Sequence, residues 1–357
     1  MCTPRRGVLS VPSPRPTLWL STMDCRGVTS AAPKSWGWWT VPKLKILEDY
    51  LNAFAQASKY RASERIYLDL FAGWPDNVSR ETNEEILGSA HRALRAQPPF
   101  TRVCLFELGP KARRLETALR EAYPGRTGLR VYGGDSNVQL AQALKDLREV
   151  DWAPTFAFID QFSSQVHWST LVQLARFRRA KTKAEMWILF ATSMYPRGLV
   201  MPGGKMNADV AEAITRMLGT EEWHYIVEGR RRGLLSGREA RDEWVNLMRW
   251  RLENELGYAK SHVFTMKNTS GHDLYDMIFT SDHEAGDRIM HHLYNKAASE
   301  HEEMRQHALA LRRDRRAADR GEIPLFAVTR DMVAREAGGQ SVYVHEPPHE
   351  PYRLPRR

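Results

Sequence analysis

Residues 66–73 read IYLDLFAG, an apolar run with β-branched and aromatic members that stops at a glycine, as a buried strand of a parallel sheet does. Upstream, KLKILEDYLNAFAQASK (43–59) sets Leu44, Ile46, Leu47, Leu51 and Phe54 at helical spacing. Downstream, a helix-compatible stretch (80–96) leads to TRVCLFEL (101–108). The alternation then repeats through KARRLETALREAY, LRVYGG, VQLAQALKDLRE, TFAFID, WSTLVQLARFRR and AEMWILFAT, ending at 192. Five apolar strands separated by helices of about 10–15 residues predict a doubly wound parallel α/β sheet with right-handed crossovers.

After the fifth strand the pattern changes. DVAEAITRMLG and GREARDEWVNLMRWRLENELG read as helices. YAKSHVFTMKN and DLYDMIFTSDH follow as two strands joined by a short loop around Ser270–Gly271. A short loop makes them a hairpin, so one of them runs antiparallel to the rest. The expected sheet is therefore seven-stranded, mostly parallel and Rossmann-like, with a C-terminal antiparallel hairpin. Residues 284–320 predict a long helix rich in Glu and Arg, and 321–357 an irregular tail. No internal repeat is present.

The chain carries 52 Lys and Arg against 43 Asp and Glu, a formal charge of +9 over 357 residues. That surplus invites a nucleic-acid reading, but it is unevenly placed. Residues 1–43 carry +5, residues 305–357 carry +4, and the body between them is neutral. Pro4, Pro12, Pro14 and Pro16 break the apolar centre that a signal peptide needs, so residues 1–35 read as a disordered basic leader, with Met23 as an alternative start. No apolar run is long enough for a membrane helix. Cys2, Cys25 and Cys104 form no metal spacing, and Cys104 within VCLF reads as a buried free thiol. The pattern is that of a cytoplasmic protein.

In open α/β sheets ligands bind beyond the carboxyl ends of the strands, near the switch in strand order. Four segments fall there: Asp69-Leu70-Phe71-Ala72-Gly73, Glu107, Gly133-Gly134-Asp135-Ser136-Asn137, and Asp160-Gln161-Phe162. A carboxylate at such a rim accepts hydrogen bonds from ribose hydroxyls or an adenine amine. Asp135 before Ser-Asn is equally a helix N-cap signal.

Taken together, YLDLFAG, LFEL, GGDSN and FAFIDQF resemble class I S-adenosylmethionine-dependent methyltransferases, and more closely the three-Cys-motif partner protein (TcmP) family. The resemblance covers about residues 36–290, with 66–192 as the cofactor-binding core. It implies that Asp69, Phe71, Ala72 and Gly73 line the methionine side of S-adenosylmethionine. It likewise puts Glu107 at the ribose, Asp135, Ser136 and Asn137 beside adenine, and Asp160, Gln161 and Phe162 where the methyl group meets its acceptor. It also implies a partner protein, radical-AdoMet-like, that bears the three-cysteine motif.

Two departures fall at that site. The family reads FAGPG where this chain has Gly73-Trp74-Pro75-Asp76, and D-P-F-G where it has Asp160-Gln161-Phe162-Ser163. The lost glycine admits a side chain beside the cofactor. A non-catalytic subunit that keeps the fold and binds a three-Cys-motif protein or nucleic acid is therefore the alternative expectation. Arg230-Arg231-Arg232 and the run 311–316 are the phosphate-facing candidates. His291, His292, His301 and His307 read as a solvated helix without metal, and Trp36, Trp38 and Trp39 as a cluster docked on the sheet domain.

Overall fold

The computed structural model describes residues 34–79, 84–200, 204–320 and 342–355. Residues 1–33 of the expected leader and most of the tail lie outside them, whereas Lys34 and Ser35, the last two residues assigned to the leader, belong to a strand because they pair with Asn77 and Val78. From Lys34 onward the chain forms one compact unit.

Its centre is a seven-stranded sheet. The strands are β2 (Ile66–Asp69), β5 (Arg102–Glu107), β6 (Leu129–Gly133), β7 (Thr155–Ile159), β8 (Glu185–Phe190), β9 (Lys260–Lys267) and β10 (Asp273–Ser281), in the spatial order β6-β5-β2-β7-β8-β10-β9. The first five are mutually parallel, and β10 is antiparallel to both β8 and β9. This is the expected doubly wound sheet with its terminal hairpin, a class I methyltransferase-like fold. The chain lays β2 in the middle, moves out through β5 to β6, then returns to β7 on the other side of β2. The order reverses between β2 and β7, which puts the switch point at Asp69 and Asp160.

Helix α1 (Thr40–Ser58) buries Leu44, Leu47, Tyr50, Leu51 and Phe54, the stripe that its spacing predicts. Tyr50 packs 5.1 Å from Phe156 and 5.0 Å from Phe279, centroid to centroid, and Phe54 stacks at 5.7 Å on Phe100. Each such ring contributes about 1.5–3 kcal/mol through the area it removes from water. Helix α10 (Glu284–Asp319) lies along α1. Its Tyr294 accepts from Trp187 Nε1 at 2.7 Å and donates to the Met277 carbonyl at 2.9 Å. Helices α4 (Ser136–Asp146), α5 (Trp168–Phe177) and α7 (Ala208–Leu218) pack together, and α8 (Trp223–Arg231) packs on α9 (Gly237–Asn254). No helix among the described residues is long and apolar enough to cross a membrane.

The stretch 80–96 departs from its helical reading. The chain beyond Gly73 enters β3 (Asp76–Ser79), returns as β4 (Glu85–Leu87), and is helical only over α2 (Ser89–Arg95). Strand β1 (Lys34–Trp36) pairs with β3 to complete a second, three-stranded sheet. Trp36 Nε1 donates to Asn77 Oδ1 across that pairing. Trp38 is buried and Trp39 packs on the core, so the tryptophan cluster docks on the domain.

Residues 342–355 carry no regular element yet are anchored. Tyr343 N donates to Asn295 Oδ1 at 2.8 Å, Arg249 reaches the Glu346 carbonyl at 2.7 Å, and Asn246 exchanges two hydrogen bonds with the His349 backbone.

Candidate cofactor and acceptor site

The parallel register carries the strand-end residues to one rim. Asp69 lies opposite Leu105 and Phe158, and Glu107 opposite Gly133. The Ala72 amide donates to the Phe106 carbonyl at 3.0 Å, which folds the loop after β2 toward the end of β5. The Gly134 amide donates to the Glu107 carbonyl at 3.0 Å and ties the third segment to the second.

Asp69 has no exposed surface. Its carboxylate accepts from Tyr67 Oη at 3.1 Å, from the Phe71 amide at 3.2 Å and from the Ser89 hydroxyl. Burial outweighs those donors, and with the charge of Asp160 nearby it lifts the carboxyl to about 7. Gly73 has φ +65, and a Cβ placed there would meet nothing nearer than the Phe71 carbonyl oxygen at 3.9 Å. The glycine thus supplies a left-handed turn beside open space. Trp74 is partly exposed, and its carbonyl accepts from Asn77 Nδ2 at 3.2 Å, so the loop runs straight into β3.

Glu107 is partly exposed. Its Oε1 accepts the Leu108 amide at 2.9 Å, and Oε2 has no protein partner among the described residues. Asp135 caps α4 by accepting the Asn137 amide at 2.9 Å through Oδ1, as its sequence context predicts. Ser136 is buried and its Oγ has no hydrogen-bond partner. Asn137 is a crosslink: Nδ2 donates to the Gln165 carbonyl at 2.9 Å, while Oδ1 accepts from the His167 amide at 2.8 Å and from Thr170 Oγ1 at 2.7 Å.

The segment after β7 alternates outward and inward. Asp160 is partly exposed and Phe162 is 71% exposed, whereas Gln161 is buried. Gln161 donates to the Leu189 carbonyl at 3.0 Å and accepts the amides of Gln165 and Val166, both at 2.8 Å. It fastens the turn to the end of β8. Leu108 and Phe162, each just past a strand end, and Val138, in the first turn of α4, are exposed apolar side chains that follow the acids around the rim.

Two features escaped the sequence reading. Lys43, in the first turns of α1, is 4% exposed and grips both oxygens of Asp160 at 2.7 and 2.5 Å, with the Tyr275 ring 5.7 Å away. Nothing local announces a pair 117 residues apart. Beyond the end of β8, Arg241 of α9 clasps both oxygens of buried Asp276 at 2.7 Å, and Thr192 and Thr265 each donate to that carboxylate at 2.6 Å.

No protein-family model matches the chain, and no curated protein matches it. Among solved structures it is similar to M. jannaschii TYW2 in complex with AdoMet, at 10% identity and TM-score 0.33 over 69% of this chain and 76% of that one. It is also similar to a candidate caffeoyl-CoA O-methyltransferase from Staphylococcus aureus (11%, TM-score 0.33, 67% and 82%). A candidate O-methyltransferase from Klebsiella pneumoniae gives 12% and TM-score 0.31 over 66% and 87%. The fold assignment rests on the strand order and register above rather than on these likenesses.

Proposed function

We propose that the protein binds S-adenosylmethionine at the carboxyl rim of its sheet and transfers the methyl group to an acceptor held beside Asp160. The observation that carries this reading is a set of open positions on one rim: Glu107 Oε2, which no group among the described residues engages, the orphaned Ser136 Oγ and the left-handed turn at Gly73. Such groups fit a ribose, an adenine edge and a close backbone approach, respectively. Exposed Leu108 and Val138 would flank a planar ring there. When bound, the cofactor supplies a sulfonium methyl open to displacement.

The chain's own contribution is alignment. Asp160 accepts a hydrogen bond from the acceptor, while Lys43 holds both oxygens of that carboxylate in place. Phe162 stacks on a planar acceptor. Gln161 and Asn137 hold the turn 161–167 from beneath. A ring nitrogen with an in-plane lone pair attacks the methyl group without first losing a proton, so it suits this arrangement better than an alcohol or an amide nitrogen, which must be deprotonated.

Isothermal titration with S-adenosylhomocysteine tests the reading. We expect saturable heat, with Glu107→Ala weakening affinity about 10- to 100-fold, the range for hydrogen bonds to a charged group. No heat and no thermal shift at millimolar ligand overturns it.

Within this reading we assign the protein to the three-Cys-motif partner type, acting on or with a radical-AdoMet-like protein. A non-catalytic role is favoured by one observation, that Lys43 already satisfies Asp160. It predicts that a complex with the three-cysteine protein survives Asp69→Ala and Asp160→Ala. For a nucleic-acid acceptor, the Arg-rich end of α10 is the suited surface. Arg305 and Arg312 bind the Thr269 carbonyl and hydroxyl at 2.8 and 2.7 Å, which sets that end of the helix at the same edge of the sheet as Asp160.

A further inference from the structure

A cavity of about 310 Å³ lies at the opposite end of the sheet from the carboxyl rim, where Thr155 and Glu185 begin β7 and β8. The last turns of α1 and the first turn of α10 wall it. Its sides are aromatic and aliphatic: Tyr50 and Phe54 from α1, Trp152 from the loop before β7, and Ile289 from α10. Its floor is the carboxyl of Glu185, which accepts from Tyr50 Oη and Ser281 Oγ, both at 2.6 Å. A Cβ on Gly286 would stand 2.2 Å from Glu185 Oε1, so glycine lets the start of α10 come down onto that floor.

One side is cationic. Arg178 donates to the carbonyls of Trp152, Thr182 and Lys183 and to Thr182 Oγ1, all neutral acceptors. Among the described residues no carboxylate stands at ion-pair distance from it, and its Nε is buried without a partner. Exposed Arg61 and Lys181 add two charges at the mouth. The cavity is at the small end of the range for ligand sites and pairs aromatic walls with a guanidinium that Glu185 and Asp282 compensate only at a distance, without an ion-pair contact.

We propose that this cavity binds a small planar aromatic anion, with its ring against Trp152, Phe54 and Ile289 and its charged group at Arg178, Arg61 and Lys181. The ring gains stacking and area burial, and the guanidinium gains an ion-pair contact that the more distant Glu185 and Asp282 do not make. A carboxylate and a phosphate share this chemistry. The site is separate from the carboxyl rim and does not depend on methyl transfer there.

Calorimetric titration of the full chain saturated with S-adenosylhomocysteine, using indole-3-acetate, AMP and neutral indole as probes, decides it. We expect one of the two anions to saturate with a dissociation constant on the order of 100 µM, as befits so few heavy atoms. Which anion binds identifies carboxylate or phosphate as the source. Ala57→Trp, at an exposed position lining the mouth, should weaken binding about tenfold or more without altering the thermal midpoint. Arg61→Ala with Lys181→Ala should weaken the anion and leave indole unchanged. If neither anion saturates at several millimolar, if Ala57→Trp leaves binding intact, or if binding depends on leaving S-adenosylhomocysteine out, the proposal fails.

Discussion

Asp69 gains a proton affinity on folding that an exposed aspartate lacks: its carboxyl moves from 3.8 to about 7 because it is buried. The sign follows from proton uptake. Between those two values the folded chain binds more protons at this position than the unfolded one, so its contribution to stability is full below about pH 4. That contribution is lost as pH rises toward 7. Asp69→Asn, which cannot ionise, is therefore expected to gain on the parent across that interval, by a few kcal/mol at most. Urea unfolding of both proteins from pH 4 to 8 checks this, and a difference that stays flat with pH would assign the titration elsewhere. Asp276 is buried as well, but there an arginine stands against the carboxylate. Truncating it to Ala leaves Arg241 with the weaker partners Asp273 and Asp242, at 3.4 Å each, and should cost about 3 kcal/mol. Adding Arg241→Met to that variant should recover part of the loss; no recovery would mean that packing, not charge, sets the cost.

At the scale of elements, what the sequence disclosed was whatever repeats. Strands such as EMWILF in β8 and the stripe of α1 are long enough for period and burial to agree, and all seven strands of the main sheet were legible. The small sheet was not, because KSW, DNVS and EIL are three or four residues long and carry no alternation. Its position explains the altered loop: the chain leaves Gly73 into β3 instead of into a helix, so Trp74 and Pro75 serve the hairpin. At the rim, the acids could be anticipated from their place after strands, whereas Lys43 could not, because its partner is set by the packing of α1 across the switch point. The inward turn of Gln161 was equally hidden. For Gly73, φ +65 with open space predicts a purely conformational cost. Gly73→Ala should lose about 1–2 kcal/mol of stability in urea unfolding. A much larger loss would indicate a clash that the geometry does not show.

Across the whole molecule, two buried groups titrate in opposite senses over the same interval. His262 on β9 is 1% exposed, with Nε2 2.7 Å from Asp287 Oδ1, Nδ1 3.1 Å from Tyr343 Oη, and the His345 ring centroid 4.6 Å away. Burial lowers it from 6.5 to about 4, against the pull of Asp287. Between those values the unfolded chain takes up the proton, so the stability contributed by neutral His262 is present above about pH 6.5. It is lost as pH falls toward 4. Asp69 loses its contribution as pH rises through nearly the same range, and the two therefore offset each other. His262 also receives the C-terminal segment through Tyr343, and His345 Nε2 lies 3.0 Å from the neighbouring Ser261 carbonyl, so protonation of His262 would put positive charge under residues 342–355. The parent chain should thus show a shallow stability profile between pH 4 and 6.5. His262→Asn, which removes one arm, should expose a profile that declines as pH rises, and adding Asp69→Asn should flatten it again. Calorimetric midpoints at four pH values would read all three curves. An His262→Asn profile parallel to the parent's would show that the histidine does not supply the opposing arm.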